Sequence, residues 1–134
     1  IIVLDQFSRN MYRDRPEAFA QDKLALDWCL EGLEDNIDLQ LEPIERVFFY
    51  LPLEHSEDLQ MQDLSCRKFA ELLKYSSSTQ TAQARGTYED FSRYAERHRE
   101  VIQQFGRFPH RNKILGRAST ALEQQYLDTP GSGF

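Results

Sequence analysis

Between Gly106 and Arg117 the chain carries Arg107, Arg111, Lys113 and Arg117 and no acidic residue. Within that stretch, Gly106-Arg107-Phe108-Pro109-His110-Arg111-Asn112 sets two guanidinium groups, an imidazole and a carboxamide around a proline that a helix interior does not accommodate. A guanidinium fork matches a carboxylate or a phosphate bidentately, which a lysine cannot do. Arg107, Arg111 and Arg117, with His110 and Asn112, therefore have the chemistry to hold one anionic group. The whole chain has a formal charge of −6, so this +4 segment sits on a remainder of −10. A cationic site on an acidic protein points to a defined anionic partner, a small molecule or a peptide carboxylate. A second reading stays open: Asp5, Glu54 and Glu57 are available to pair with these arginines and staple the helices.

Three further clusters carry chemistry. In Asp5-Gln6-Phe7-Ser8-Arg9-Asn10, Asp5 and Arg9 stand four residues apart and can pair on a helix surface, with Gln6 and Asn10 on the next face. This is a solvated flank or the polar wall of a pocket. Glu54-His55-Ser56-Glu57-Asp58 reads as a helix start, where acids suit the dipole. It also places a carboxylate beside an imidazole, a plausible acid–base pair, at a kink expected from Pro52. His98 lies on the apolar face of its helix, as a core histidine or as a site residue with a burial-shifted pKa. Glu54, His55 and His110 are the candidate catalytic groups. Asp5, Gln6, Arg9, Asn10, Glu57, His98, Arg107, Arg111, Asn112 and Arg117 are the candidate binding groups. Nothing in the spacing of His55, His98 and His110 supports a metal site, and no cofactor is expected. The chain has no HExxH, GxSxG, Walker loop or dinucleotide glycine pattern.

The elements that position these groups are helices. Strand signals are almost absent and apolar residues recur at helical spacing. Residues 1–12 read as the end of an apolar helix, broken at Arg13-Asp14-Arg15-Pro16. From Glu17 to Glu34 the stripe is Ala18, Ala25, Trp28, Cys29 and Leu33. Over Glu42–Leu51 it is Ile44, Val47, Phe48 and Leu51, interrupted by Pro52. Ser56 is placed to cap a helix running to about Tyr75, with Leu64, Phe69, Leu72 and Leu73 inward. Ser76–Ala84 reads as a mobile loop. The clearest amphipathic helix follows, through Tyr88, Phe91, Tyr94, Ala95, His98, Val101, Ile102 and Phe105, ended by Gly106 as a C-cap. Thr120 and Glu123 form a capping box for a short last helix.

The length of 134 residues predicts one helical domain over 1–134, of all-α class, built of antiparallel helix pairs. The start at Ile-Ile-Val-Leu, in mid-pattern, suggests a piece lacking N-terminal helices. No window approaches the ~20 apolar residues of a membrane span, so no membrane partner is expected. The acidic balance argues against duplex nucleic acid, whose binding relies on many Lys and Arg contacts to phosphate. Cys29 and Cys66, far apart and inside helical patterns, read as two buried free thiols in a reducing cytoplasm. The residues do not fix an oligomeric state.

Three runs, Leu4–Asn10 (LDQFSRN), Tyr50–Asp58 (YLPLEHSED) and Phe105–Thr120 (FGRFPHRN followed by LGR and ST), together resemble the bacterial domain of unknown function 924 family. The resemblance covers nearly the whole chain in the same motif order. It implies an all-α, tetratricopeptide-like right-handed arrangement with further helices upstream, and it carries over no catalytic residue. Ser8 stands where the family commonly has proline, a change expected to straighten that helix end. The best functional expectation is a binding module with an Arg/His-lined pocket for an anionic ligand. The alternatives are a hydrolase-type enzyme using Glu, His and Arg in the same cleft, and a buried ion-pair network that is purely structural.

Overall fold

A computed structural model of the chain describes residues 1–76 and 82–134 and is all-helical, with no strand among the described residues. Six α-helices carry it: α1 (Ser8–Met11), α2 (Asp22–Glu34), α3 (Pro43–Glu54), α4 (Leu59–Leu72), α5 (Ala82–Phe105) and α6 (Ala121–Leu127). Helices α2, α3, α4 and α5 each pack on the next, and α5 also reaches α3. The expected loop over Ser76–Ala84 falls mostly on residues 77–81, outside the described residues, and α5 begins at Ala82.

The main core joins Cys29 of α2, Val47, Tyr50 and Leu53 of α3, Phe69 and Leu72 of α4, and Tyr88 and Ala95 of α5. Tyr50 sits edge-on to Phe69 at 6.0 Å between ring centres, and its hydroxyl donates to buried Asp38 at 2.7 Å. A smaller core of Val101, Ile102 and Phe108 seats the loop after α5. Gly106 ends α5 in the left-handed region, at φ +71°, with its N–H bonded to the Ile102 carbonyl at 2.8 Å. A side chain there would be strained, which is the role expected of a C-cap glycine. The Thr120–Glu123 capping box is present at the start of α6.

Several elements differ from expectation. Residues 1–12 are not one regular helix: Val3–Phe7 forms a π-helical turn and only Ser8–Met11 is α. Residues Pro16–Phe19 make a separate 3-10 turn, and α2 starts at Asp22. The buried stripe of α2 is Ala25, Cys29 and Gly32, which leaves Trp28 52% exposed. In α3 the buried stripe is Arg46, Val47, Tyr50, Leu53 and Glu54, so Ile44 and Phe48 face outward. Both helices have two apolar faces, and periodicity alone does not tell which one packs. Phe48, with Ile2, Val3 and Ile37, lines an apolar groove on the surface. Leu64, Leu73 and Phe91 are only half-buried, and Tyr94 is exposed.

Pro52 does not interrupt α3, which runs on to Glu54. A proline removes the bond to the carbonyl four residues back, and that carbonyl belongs to Phe48, an exposed residue. Ser56 is not the cap of α4. Asp58 caps it, its carboxylate accepting the Met61 N–H at 3.1 Å, while Ser56 Oγ accepts the Asp58 N–H. An aspartate caps as well as a serine, and the later start keeps His55–Glu57 in the turn between α3 and α4. Neither cysteine is in a disulfide; Cys29 is buried and Cys66 half-buried.

Candidate functional site

The α3–α4 corner is held from below. Gln62, fully buried, donates both to the Glu54 carbonyl and to the Ser56 carbonyl at 2.7 Å. This fixes His55 at the C-cap of α3. Against it stands Asp5, 1% exposed, on the π-helical turn. Such turns are rare and recur at functional sites. Asp5 Oδ1 lies 2.6 Å from His55 Nδ1 and accepts from Arg9 at 2.8 Å, while Oδ2 accepts from Gln6. Burial alone would raise the Asp5 carboxyl, but the His55 hydrogen bond and the charges of His55 and Arg9 outweigh it and hold it below the usual range. An ionised Asp5 requires the proton on Nδ1 of His55, which leaves Nε2 a bare lone pair. Burial lowers the His55 pKa more than Asp5 raises it, so the ring is neutral at pH 7.

His98, on α5, donates from Nδ1 to the Tyr94 carbonyl at 2.8 Å. Glu54 Oε1 is 3.3 Å from the same nitrogen. This contact is not an ion pair at neutral pH: burial, with the Asp5 charge, pushes Glu54 up to about 8, and burial brings His98 down to about 3. Burial, with the Arg111 charge, takes His110 down to about 4. Among the described residues His110 has no hydrogen-bond partner for either ring nitrogen, and its Nδ1 is buried.

His55, His98 and His110 line a cavity of about 350 Å³ with Gln6, Arg9, Phe19, Phe108, Arg111 and Phe134 among its walls. Phe134 stacks on His98 at 3.6 Å between ring centres. Arg111, 7% exposed, lies between Phe19 and Phe108, its guanidinium carbon 4.6 and 4.7 Å from the two ring centres. Its one hydrogen bond runs from Nη2 to the His55 carbonyl at 2.8 Å. Nε is buried without a partner, and Nη1 reaches Asp22 and Glu57 only at 3.7 Å. Burial lowers its pKa to about 10, so it stays charged at pH 7. Arg9, by contrast, is saturated: both terminal nitrogens reach Asp22, at 2.7 and 2.9 Å.

Glu57, Arg107, Asn112 and Arg117 form a second cluster, a clip built on the same loop. Arg107 donates from Nε and Nη2 to the two oxygens of Glu123, both at 2.9 Å. Asn112, 1% exposed, donates to Glu123 at 3.0 Å and accepts from Arg117 Nε at 3.0 Å. Arg117 then grips Glu57 through both terminal nitrogens, at 2.8 and 3.1 Å. The Arg107 bonds, with those of Asn112 and Thr120, hold the Glu123 carboxyl well below its ordinary range against burial.

The sequence candidates thus separate. Gln6, Arg9, His55, His98, His110 and Arg111 line the cavity, with Asp5 and Glu54 directly behind it. Glu57, Arg107, Asn112 and Arg117 belong to the clip, and Asn10 is exposed and joins neither. Of the acids expected to pair with Arg107, Arg111 and Arg117, only Glu57 does so; Asp5 pairs with Arg9 instead, Glu54 with no arginine among the described residues, and Glu123 and Asp22 take part in their place. Sequence reasoning missed Asp22, Gln62, Phe19 and Phe134. Phe108, read only as part of the loop, turns out to be a fully buried wall. Among the described residues no group of three or more His, Cys, Asp or Glu is placed to hold a metal ion, and no helix is long and apolar enough to cross a membrane.

No curated protein matches the chain. Its fold is similar to the structure of a protein of unknown function, ATU0120, from Agrobacterium tumefaciens, at 36% identity and a TM-score of 0.77. The match covers 95% of this chain and 64% of that one, so the chain spans under two-thirds of its neighbour's length. The pattern of bacterial proteins of unknown function DUF924 matches residues 1–131, and the chain belongs to that family.

Proposed function

We propose that the cavity is a binding site for a small molecule bearing a single carboxylate on an apolar body. The observation that carries this is Arg111: a buried guanidinium with one hydrogen bond, an unpartnered Nε and a Nη1 without a close acceptor. Leaving such donors unmade inside a protein is costly, so a ligand that supplies the acceptor gains by it. Arg9, Arg107 and Arg117 are already neutralised by Asp22, Glu123 and Glu57. Exposed Arg13 and Asp14, also in the lining, offset one another in charge, so buried Arg111 is left to meet one negative charge rather than a phosphate dianion or a polyanion. The rings of Phe19, Phe108 and Phe134 provide the apolar wall. The helices are read as a tetratricopeptide-like stack, and free Cys29 and Cys66 fit a reducing cytoplasm.

Calorimetric titration with benzoate, phenylacetate and inorganic phosphate tests this. The two carboxylates bind saturably and phosphate binds more weakly; Arg111→Met loses about tenfold or more of the carboxylate affinity, the worth of a charge-assisted hydrogen bond. Absence of binding by both carboxylates, or equal binding by Arg111→Met, refutes the proposal. The clip supports the structural reading for its own half of the motif, because each charged group in it has a partner.

A further inference from the structure

We infer that the cavity is also catalytic, with His55 as general base on a water molecule that hydrolyses an ester of the carboxylate-bearing ligand. The inference rests on the binding reading above. Three observations lead to it. First, His55 lines the cavity and is locked by Asp5 at 2.6 Å into the tautomer that leaves Nε2 unprotonated, and Nε2 makes no hydrogen bond. A carboxylate that orients an imidazole in this way is what general-base catalysis needs. Second, Asp5 is itself fixed by Gln6 and Arg9, so the ring cannot swing without breaking further bonds. A structural staple would not need an imidazole whose second nitrogen is left open. Third, among the described residues the cavity walls contain no serine, threonine, cysteine or lysine, and their one carboxylate, Asp14, is exposed, so the lining points to water as the attacking group.

The step balances as follows. Nε2 of His55 takes a proton from water as the water oxygen bonds to the ester carbonyl carbon, and the carbonyl π pair moves onto its oxygen. That oxyanion re-forms the carbonyl, the bond to the leaving oxygen breaks, and the alkoxide takes the proton back from Nε2. Ester and water become acid and alcohol with no co-reactant. The incompletely paired Arg111 guanidinium and the His110 ring line the cavity as the groups for the ligand carboxylate and the oxyanion. Asp5 is a positioning residue, since it touches His55 and not the cavity contents.

The test is hydrolysis of mono-para-nitrophenyl succinate, an aryl ester with a free carboxylate, by the protein, His55→Gln and Asp5→Asn, with circular dichroism checking that each variant is folded. The protein is expected to exceed His55→Gln by about 10²- to 10⁴-fold in kcat/KM. Asp5→Asn is expected to lose kcat with KM little changed, because it removes the lock and not the ligand contact. The rate falls on the acid side with an apparent pKa below 6.5, since the burial that lowers His55 keeps its base form to lower pH. If benzoate binds but the ester is turned over no faster than by folded His55→Gln, the catalytic inference is wrong and the binding reading stands. If benzoate does not bind, the binding reading falls. Should either substitution unfold the chain, single-turnover hydrolysis by the parent across pH decides: a rate without an acid limb overturns the inference.

Discussion

One seven-residue loop feeds two clusters of the same residue types, and they differ in how completely their polar groups are paired. In the clip, Arg107 meets Glu123, Asn112 bridges Glu123 and Arg117, and Arg117 grips Glu57 with two bonds. In the cavity, Arg111 has one bond, His110 has none, and His98 and His55 each use one nitrogen. A polar group is retained in a fold either because its partners are built in or because its partner arrives from outside. Arginine content alone does not separate the two; the census of partners does.

The largest effect should come from breaking the clip. Glu123→Ala strands Arg107 and Asn112 together and is expected to lower Tm by at least roughly 5 °C, a discounted figure because Arg107 is partly exposed. A smaller loss, measured by calorimetry, would show that the clip is not a structural element and would collapse the distinction.

Next comes pH. Glu54 titrates at about 8 in the folded chain against an ordinary 4.5, so the stability of its protonated form is complete below 4.5 and is lost as pH rises towards 8. His98 and His110 titrate near 3 and 4 against 6.5, so the stability of their neutral forms is present above 6.5 and is lost as pH falls. Between 4.5 and 6.5 two histidines oppose one glutamate. From these groups Tm is therefore highest near pH 6.5, and Glu54→Gln is expected to abolish the decline above it while leaving the acid side. An unchanged alkaline limb in Tm measured against pH would remove Glu54 from the account of the cavity.

Gly106→Ala is expected to cost about 1 kcal/mol in urea denaturation, from backbone strain at φ +71° alone, since no atom crowds the position. A larger cost would mean that the loop sets both clusters more tightly than its contacts show. The smallest effect is assigned to the cavity: Arg111→Met is expected to change stability by less than about 1 kcal/mol, because an apolar chain of similar length replaces a poorly paired buried charge. A large loss would put Arg111 on the same footing as the clip.

Much of this was legible in the residues. Tyr88 to Gly106 and the Thr120 capping box follow from periodicity and cap chemistry and stand as expected. Of the candidate polar residues, Asp5, His55 and Arg111 do meet, while Asn10 stays exposed and joins neither cluster. What the residues did not show is which acid meets which arginine. Asp22 and Glu123 look like ordinary helix-start acids, and only tertiary packing brings Arg9 to one and Arg107 to the other. Trp28 and Phe48 failed for a related reason: an apolar face says that something packs there, not that this chain supplies it. Phe134 offered no signal at all, since a lone aromatic beyond a Pro-Gly turn has no periodicity to read.

The site and the clip also join parts of the chain that are far apart in sequence. Asp5 and His55 are 50 residues apart, His55 and Arg111 are 56, and Glu57 and Arg117 are 60. Contacts between neighbouring helices close shorter loops and are favoured early in folding, whereas these closures add entropy cost before they return any enthalpy. Chevron analysis should then find substitutions at Glu123 or Asp5 speeding unfolding with little change in the folding rate. Kinetically, the cavity and its clip would be the last features to assemble and the first to open, so a ligand held there would act as a latch on the lifetime of the whole native chain.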